Sequence, residues 1–317
     1  MKIIFMGTPD FATYILDEIE RAGHDIVLIV TQPDKPRGRS GKKAPSPVKS
    51  WAMEREIDVY QPAKIREESS IEYLRGIEAD ICVVAAFGQI LPKEILDMPP
   101  YGCINVHASL LPKYRGAAPI QWSILNGDDK TGVTIMQMGV GLDDGDILYT
   151  EEVKLNGTET GGELFDTLAE VGGKACVKAL SLIEGGSISP VPQDDSLATH
   201  VGMIDKKMGK IDWSDSADRI ERYVRGLNPW PSCYTTYKNK TLKIWKSHVV
   251  PKAELHSIST GDYNVGQVCF VDKSNIYVLA GDGTVLGLDE LQLEGKKRMD
   301  TKSFLLGNPV RLGEELN

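Results

Sequence analysis

The stretch that decides the fold is CINVHASLLPKYRG, residues 103–116. Its first five residues predict a short buried strand that carries Asn105 and His107. Residues two apart in a strand lie on one face, so both polar side chains point the same way. They stand at the end of the strand, just before a turn held by Pro112. Doubly wound sheets place their ligand sites at the carboxyl ends of the strands, so we expect a site here.

Strands and helices alternate on both sides of this stretch. Short strands that are apolar throughout and separated by helices indicate a parallel, doubly wound sheet. The predicted strands are KIIFMG (residues 2–7), DIVLIVTQ (25–32), ADICVVAAFG (79–88), CINVHAS (103–109) and VTIMQM (133–138). The predicted helices are DFATYILDEIERAG (10–23), SPVKSWAMERE (46–56) and GGELFDTLAEVGGKACVKALSLIEGG (161–186).

The pattern changes near residue 187. Residues 189–206 contain two prolines and little periodicity, and they are predicted to be a linker. A capped helix follows, and then short β-rich runs separated by Gly, Asn or Asp indicate a small antiparallel barrel. Two domains also suit a chain of 317 residues. We therefore predict an α/β protein with an N-terminal doubly wound, Rossmann-like domain over residues 1–188 and a C-terminal OB-like β-barrel domain over residues 207–317.

Composition excludes several classes of protein. A hydrophobic fraction of 41% and a charged fraction of 26% are typical of a globular chain and not of a disordered one. No apolar run suits a membrane span and no signal-like segment opens the sequence, so we expect a cytoplasmic protein. The five cysteines are odd in number and scattered, which disfavours a disulfide framework and a structural zinc. A net charge of −9, taken alone, argues against a nucleic-acid partner.

The polar residues near the turn suggest oxyanion stabilisation and proton transfer. An amide beside an imidazole can perform both, although Asn105 and His107 are also residues that simply cap a strand end. A Gly-flanked turn, GLDDGDIL at residues 141–148, supplies Asp143 and Asp144. A carboxylate near the imidazole would stabilise its charged form and fix its tautomer, but carboxylates beside glycines are also ordinary turn formers. No Ser or Cys has a local activation pattern, so we expect the substrate to supply the nucleophile.

Residues 104–148, INVHASLLPKYRGAAPIQWSILNGDDKTGVTIMQMGVGLDDGDIL, resemble the core of the 10-formyltetrahydrofolate-dependent formyltransferases. The shared pattern is Asn-x-His-x-Ser-Leu-Leu-Pro, followed by Leu-Asp-x-Gly. Further segments, among them FMGTPDFA, TQPDKPRGRSGKKAPSPVK, AAFGQILP, KIDWS and LNPWP, are similar to the members of this family that formylate an aminoacylated tRNA. The resemblance therefore covers nearly the whole chain.

This resemblance implies a reaction and a set of residues. The formyl group of 10-formyltetrahydrofolate, a co-substrate, would pass to the α-amine of methionyl-initiator tRNA. No His/Cys ligand cluster lies near the motif, so we expect no metal, and nothing in the sequence demands a dimer, so we expect a monomer. Asn105, His107 and Asp143 would be catalytic, and Asp143 is preferred to Asp144 because it directly follows the Leu of the motif. The first domain would be catalytic, and the second would assist tRNA binding. The implied folate-binding residues are Ser109, Leu110, Leu111, Pro112, Phe87, Gln89, Ile90 and Leu91.

A basic loop at residues 34–49 is the candidate contact for tRNA. It carries six basic residues and one acidic residue, and it follows the second predicted strand, at the sheet edge that holds His107. A run of charge is usually a solvated connection. The resemblance instead implies that this loop contacts the acceptor arm, with Arg39 as its key residue. The implied tRNA-binding residues are Arg37, Arg39, Lys42 and Lys43.

Four other functions compete with this hypothesis. A nicotinamide oxidoreductase would need G-x-G-x-x-G after the first strand, and FMGTPDFA lacks it. A non-catalytic RNA-binding module leaves the Asn, His and Asp residues unexplained, and a formyltetrahydrofolate hydrolase would carry a regulatory domain that nothing here resembles. The strongest alternative is a formyltransferase for an amino sugar nucleotide, which would share HASLLPKYRG. The basic loop favours a polyanionic acceptor over a small sugar.

Overall fold

The computed structural model describes residues 1–36, 43–255 and 260–317. The chain divides into two compact units. Unit 1 comprises Met1–Ile120, Lys130–Lys154 and Phe165–Gly202, and unit 2 comprises Gln121–Asp129, Leu155–Leu164 and Met203–Asn317. Within the described ranges, no helix combines the length and the apolar character that a membrane crossing requires.

The strands of unit 1 are short and the helices of the chain vary widely in length. The strands are β1 (Lys2–Gly7), β2 (Asp25–Val30), β3 (Lys35–Pro36), β4 (Lys43–Ala44), β5 (Val59–Tyr60), β6 (Ile81–Ala85), β7 (Cys103–His107), β8 (Arg115–Gly116), β9 (Lys130–Gln137), β10 (Ile147–Lys154) and β11 (His200–Val201). The helices are α1 (Asp10–Arg21), α2 (Pro47–Met53), α3 (Glu68–Arg75), α4 (Lys93–Leu96), α5 (Pro119–Asn126), α6 (Gly161–Glu184), α7 (Ala217–Gly226), α8 (Lys252–Leu255) and α9 (Thr301–Gly307).

The main sheet of unit 1 has the strand order β10-β9-β7-β6-β1-β2-β5 in the described residues. The five strands from β7 to β5 are parallel, whereas β9 runs antiparallel to β7, and β10 runs antiparallel to β9. The predicted α/β class of this domain is therefore confirmed. The prediction of a parallel sheet is wrong for β9, the last predicted strand, and β10 was not predicted.

The direction of β9 follows from the connection that precedes it. A parallel crossover needs a segment of a dozen or more residues that returns along the sheet, usually a helix. Here the helix between β7 and β9 is α5, and from Gln121 onward its residues belong to unit 2. The chain re-enters the sheet from the edge at which β7 ended, with Thr134 opposite His107 and Gln137 opposite Ile104. The apolar run VTIMQM marks β9 as a buried strand like its parallel neighbours, so the sequence did not reveal that it runs the other way.

Local sequence explains why the central elements form. Strand β6 is buried along its whole length, as the continuous apolar run predicts for a strand covered on both faces. Helix α1 buries one apolar face, which includes Phe11, Ile15 and Ile19. Helix α2 begins after Ser46, whose Oγ accepts the Lys49 backbone N–H over 3.1 Å, with proline at the first helical position.

Hydrogen bonds from side chains link the carboxyl ends of the parallel strands. The backbone oxygen of Phe87, after β6, accepts hydrogen bonds from Thr8 Oγ1 at 3.3 Å and from Gln32 Nε2 at 3.2 Å. Gln61, after β5, donates from Nε2 to the backbone oxygen of Gln32 over 2.9 Å. His107 ends β7, which is parallel to these strands, so it lies at the same edge of the sheet.

The main feature of unit 2 is an antiparallel sheet with the order β12-β13-β16-β15-β14, in which β17 also pairs with β16. This confirms the predicted C-terminal antiparallel β domain. The strands are β12 (Cys233–Tyr237), β13 (Lys240–Val249), β14 (Val268–Val271), β15 (Ile276–Leu279), β16 (Val285–Leu293) and β17 (Met299–Asp300).

The last five residues of the sequence connect the two edge strands of this sheet. Thr236 on β12 and Asn317 exchange both of their backbone hydrogen bonds. Val268 on β14 donates to the oxygen of Glu314 and accepts from the N–H of Gly313. The tail therefore occupies the gap between β12 and β14, and it supplies partners for edge groups that a sheet would otherwise expose.

Candidate active site

His107 lies at the carboxyl end of β7 with only 6% of its surface exposed. Its Nε2 atom is 2.9 Å from the backbone oxygen of Tyr114. Because a carbonyl oxygen can only accept a hydrogen bond, Nε2 carries a proton. The other ring nitrogen, Nδ1, is therefore the one that remains for a carboxylate or a substrate atom. Nδ1 lies 3.8 Å from Oδ2 of Asp143.

Asn105 meets the same carboxylate from the same face of β7. Its Nδ2 atom is 3.5 Å from Oδ1 of Asp143, so the amide and the imidazole approach the two oxygens of one carboxylate. Both distances are long for direct hydrogen bonds. The three groups thus stand together without strong mutual bonds, and the donors of Asn105 and His107 can serve a substrate atom.

The turn that carries Asp143 is shaped by a backbone donor and a glycine. The N–H of Gly116 donates to Oδ2 of Asp143 over 2.8 Å, which fixes the carboxylate. Asp143 has φ = 51°, in the left-handed region that is uncommon for residues with a side chain. A Cβ at Gly145 would lie 1.7 Å from the backbone oxygen of Gln137. Only glycine fits there, so the Gly of Leu-Asp-x-Gly lets the turn pass close to β9.

Asp144 points elsewhere. It is exposed, and a Cβ built on Gly141 would lie 1.9 Å from its Oδ2 atom, so its carboxylate rests against the backbone of its own loop. Asp143 is therefore the carboxylate beside His107. Its catalytic role stays a prediction, as do the catalytic roles of Asn105 and His107.

Buried hydroxyl groups hold the turn after β7. Ser109 is fully buried and donates from Oγ to the backbone oxygen of Lys113 over 2.7 Å. Thr134 on β9 donates to the oxygen of Ser109 over 2.7 Å and accepts from the N–H of Leu111 over 3.1 Å. A cis peptide precedes the proline of the turn. The residues of this turn whose contact with folate stays a prediction are Ser109, Leu110, Leu111 and Pro112.

The second predicted folate segment contains both core and surface residues. Phe87 and Leu91 are buried in a hydrophobic cluster with β1, β2 and β6, whereas Ile90 is 79% exposed. The Gln89 amide accepts the N–H of Ile65 over 2.7 Å, so this side chain holds a neighbouring loop. The contact of Phe87, Gln89, Ile90 and Leu91 with folate stays a prediction.

Strand pairing and side-chain hydrogen bonds hold the two ends of the basic loop. Strands β3 and β4 pair with each other, and Lys43 on β4 is exposed. Lys49 donates to Asp34 at 2.8 Å and to Gln61 at 2.7 Å. The hydrogen bonds from Lys49 and Gln61 lower the pKa of Asp34. The predicted tRNA-binding residues that lie outside the described residues are Arg37, Arg39 and Lys42.

Residues 189–206, predicted to be a linker, hold part of the site. The backbone oxygen of Thr199 accepts the N–H of Arg115 over 2.8 Å, and its Oγ1 accepts the N–H of Tyr114 over 2.8 Å. Strand β11 then pairs with β8. Sequence reasoning missed Arg115, Thr199 and Gln193 as site residues, because an aperiodic stretch rich in proline gives no sign of where it packs.

Two buried cysteines are unsuited to act as nucleophiles, and the described residues contain no metal-ligand cluster. Burial raises the pKa of Cys176 and the pKa of Cys233 to about 12, so neither thiol ionises near neutral pH. Among the described residues, no three His, Cys, Asp or Glu side chains are grouped as metal ligands would be. The site therefore offers an amide, an imidazole and a carboxylate, which suits proton transfer and oxyanion stabilisation.

Two family models match most of this chain. The Formyl transferase family matches residues 1–180, and the Formyl transferase, C-terminal domain family matches residues 203–309. The methionyl-tRNA formyltransferase of Agathobacter rectalis is 53% identical over 99% of this chain and 98% of its own length. The protein of the same name from Lachnospira eligens is 52% identical with the same coverage. The predicted family resemblance is thereby confirmed.

Solved structures share the fold at much lower identity. A sugar 3N-formyl transferase, WlaRD, aligns with a TM-score of 0.67 and 20% identity over 94% of this chain and 99% of its own. HypX from Aquifex aeolicus in complex with tetrahydrofolic acid aligns with a TM-score of 0.61 and 13% identity, over 100% of this chain and 50% of its own. At these identities the likeness concerns the fold alone.

Proposed function

Because the chain belongs to the methionyl-tRNA formyltransferase family, we infer that it transfers the formyl group of 10-formyltetrahydrofolate to the α-amino group of methionyl-initiator tRNA. The product is N-formylmethionyl-tRNA, which serves in translation initiation. The observation that carries this function is the similarity to methionyl-tRNA formyltransferases over almost the full length of both chains. The site agrees with it, since its described residues include an amide, an imidazole and a carboxylate that suit formyl transfer.

The proposed roles of the three site residues follow from their geometry. The amine nitrogen bonds to the formyl carbon, and the bond from that carbon to the folate nitrogen breaks. The oxyanion between these steps is stabilised by the Asn105 amide and by Nδ1–H of the charged His107. Asp143, 3.8 Å from Nδ1, is proposed to stabilise the positive charge of the imidazolium during the reaction. The amine loses one proton and the departing folate nitrogen gains one, and Asp143 with His107 carries it between them.

The two substrates are assigned to different parts of the chain. Folate is proposed to bind along the turn after β7 and the segment after β6. The tRNA acceptor end is proposed to contact the basic loop at residues 34–49, and the C-terminal β domain, residues 207–317, assists. Residues 1–188 are proposed as the catalytic domain and residues 189–206 as the connection, of which Gln193 and Thr199 also hold the site. We further propose that the protein acts as a monomer in the cytoplasm.

One assay tests the acceptor. Labelled formyl transfer from 10-formyltetrahydrofolate is measured with methionyl-initiator tRNA and, in parallel, with a 4-amino-sugar nucleotide. We expect product with the charged tRNA alone. Formylation of the sugar nucleotide without formylation of the tRNA would overturn the proposed function, and it would establish the alternative for which the structure offers only a shared fold.

A further inference from the structure

Both polar atoms of the Gln193 side chain form hydrogen bonds within the candidate site. Its Nε2 atom donates to the backbone oxygen of Asp143 over 2.9 Å and to that of Gly145 over 2.7 Å. Its Oε1 atom accepts from Nε and Nη2 of Arg115, at 3.1 Å and 2.9 Å. Carbonyl oxygens only accept and a guanidinium only donates, so the amide fits in this orientation alone.

Arg115 connects this amide to the reacting groups. The arginine is 5% exposed and lies between two residues that hold the site. The carbonyl of Tyr114 binds Nε2 of His107, and the N–H of Gly116 binds the carboxylate of Asp143. Three consecutive residues therefore hold the imidazole, the glutamine amide and the carboxylate in one arrangement.

We propose that Gln193 is a positioning residue for formyl transfer, because it fixes the backbone at Asp143 and thereby the place of that carboxylate beside Nδ1 of His107. The left-handed backbone of Asp143 costs free energy that the surrounding bonds must offset. Gln193 supplies two of those bonds, one at Asp143 and one at Gly145. The inference rests on the proposed function, since it takes Asp143 as the catalytic carboxylate.

The main chain around Gln193 is anchored without its side chain. Val191 and Ile147 exchange two backbone hydrogen bonds, of 2.8 Å and 2.9 Å. Downstream, Thr199 binds the backbone of Arg115. Substitution at Gln193 therefore removes the amide but leaves the segment attached on both sides. The variants are expected to fold, and their effects report on the position of the loop.

Two variants of Gln193 separate positioning from attachment. For Gln193→Ala we expect kcat to fall on the order of 10- to 100-fold, while KM for both substrates stays near the wild-type value. Gln193→Glu keeps an acceptor for Arg115 but turns a carboxylate oxygen toward the backbone oxygens of Asp143 and Gly145. Its kcat should therefore fall further than that of Gln193→Ala. The exposed neighbour Asp194 provides the control, and Asp194→Asn should keep the wild-type kcat.

A double-variant cycle identifies the residue through which Gln193 acts. In a chain that already carries Asp143→Asn, Gln193→Ala should cause little further loss of kcat, because the carboxylate it positions is gone. Unfolding temperature and folate binding are measured for each variant to show that the fold and the donor site persist. A Gln193→Ala enzyme with wild-type kcat would overturn the proposal, and so would full multiplication of the two losses in the double variant.

The wild-type enzyme measured in the same assay keeps the two ideas apart. A wild type that does not formylate methionyl-initiator tRNA refutes the proposed function. An active wild type with unaffected Gln193 variants leaves that function intact and refutes the positioning role alone.

Discussion

At the scale of single residues, one hydrogen bond decides what the imidazole can do. Nε2 of His107 is bound to the Tyr114 carbonyl, so the reaction has only Nδ1 available. If His107 is replaced, Asn105 cannot take over its proton transfer, because an amide carries no titratable proton. The two donors therefore contribute differently, although both face Asp143.

Removal of either donor should mainly slow the chemical step. We predict that His107→Ala and Asn105→Ala each lower kcat on the order of 10²–10³-fold, the usual cost of one oxyanion donor. The affinity for 10-formyltetrahydrofolate should change little, since the loss concerns the transition state. Single-turnover rates and equilibrium binding of the donor measure both quantities. Near-normal turnover by His107→Ala would contradict the proposed mechanism.

The two adjacent carboxylates provide their own comparison. Asp143→Asn should lower kcat strongly, because it removes the charge beside Nδ1 while keeping the shape of the side chain. Asp144→Asn should be close to wild type, because that carboxylate rests against its own loop and not against His107. Parallel measurement of kcat for the two variants checks the assignment. The reverse order would transfer the role to Asp144.

The sequence revealed the residues of the site that belong to a motif, and it missed those that act through long-range contacts. Asn105 and His107 share a strand face, so the two-residue period of a strand is enough to bring their side chains together. The position of Asp143 within its motif also distinguished it from Asp144. Gln193 and Arg115 could not be paired in this way, because they are 78 residues apart and their contact depends on where an aperiodic segment packs.

At the scale of elements, the C-terminal tail completes the sheet of unit 2. Glu314 in this tail accepts a hydrogen bond from Tyr237 Oη over 2.6 Å and lies 3.1 Å from Nζ of Lys238. Burial raises the pKa of Glu314, but the hydrogen bonds from Tyr237 and Lys238 outweigh burial, so the pKa is lowered. The ionised form of Glu314 therefore attaches the tail to the end of β12.

This attachment should depend on pH in a defined direction. A carboxyl group with a lowered pKa in the folded state stabilises the fold above the pKa of the unfolded chain, about 4.3, and the contribution disappears as the pH falls further. We predict that Glu314→Gln lowers the free energy of unfolding by about 1 kcal/mol at pH 7, after allowance for solvent screening. Near pH 3 the difference between the wild type and the variant should be smaller than at pH 7, and it should disappear as the pH falls through the lowered pKa of the folded state.

The exposed neighbour Glu315 supplies a matched control. Glu315→Gln makes the same change of charge in the same tail without that pair of partners, so its effect should be small at both pH values. Thermal unfolding of the two variants and the wild type gives the comparison. A deficit of Glu314→Gln that is equal at pH 7 and near pH 3 would show that charge is not what attaches the tail.

The elements themselves were largely predictable, and their pairing was not. Strands β1, β6 and β7 are short apolar runs between helix and turn signals, and all three form where the pattern places them. The antiparallel entry of β9 depends on a connection whose helix belongs mostly to the other unit. The tail GEELN has no strand pattern in the sequence, and its backbone partners on β12 and β14 are distant along the chain.

At the scale of the whole molecule, an acidic chain must attract a polyanion. The net charge is −9, yet the loop at residues 34–49 carries six basic residues and one acidic residue. Its base emerges at the end of β2, and three strand spacings separate β2 from β7, or roughly 14 Å. The loop thus starts at the same edge as His107. The basic residues in the sequence of this loop would favour phosphate binding despite the net charge of −9.

Neutralising the loop should weaken tRNA binding and leave the folate donor unaffected. We predict that Arg39→Ala, or Lys42→Ala with Lys43→Ala, raises KM for methionyl-initiator tRNA and leaves KM for 10-formyltetrahydrofolate near the wild-type value. Each lost phosphate contact should also reduce the slope of log KM against log salt by about 0.7–0.9, since fewer counterions are released on binding. Arginine at position 39 should matter most, because an arginine can bind phosphate bidentately and stack on bases, and the family resemblance makes Arg39 the key residue of the loop.

Steady-state kinetics at several salt concentrations measure both effects. Lys93→Ala provides the control, since Lys93 is an exposed lysine of α4 that pairs with Asp97 and lies outside the loop. Removal of its charge should leave the salt slope unchanged. If a variant without Arg39, Lys42 and Lys43 kept wild-type tRNA kinetics, the loop would be only a connection between β2 and α2. The acceptor arm would then have to be bound by another part of the molecule. The charge of the loop would no longer argue against an amino sugar nucleotide as the acceptor.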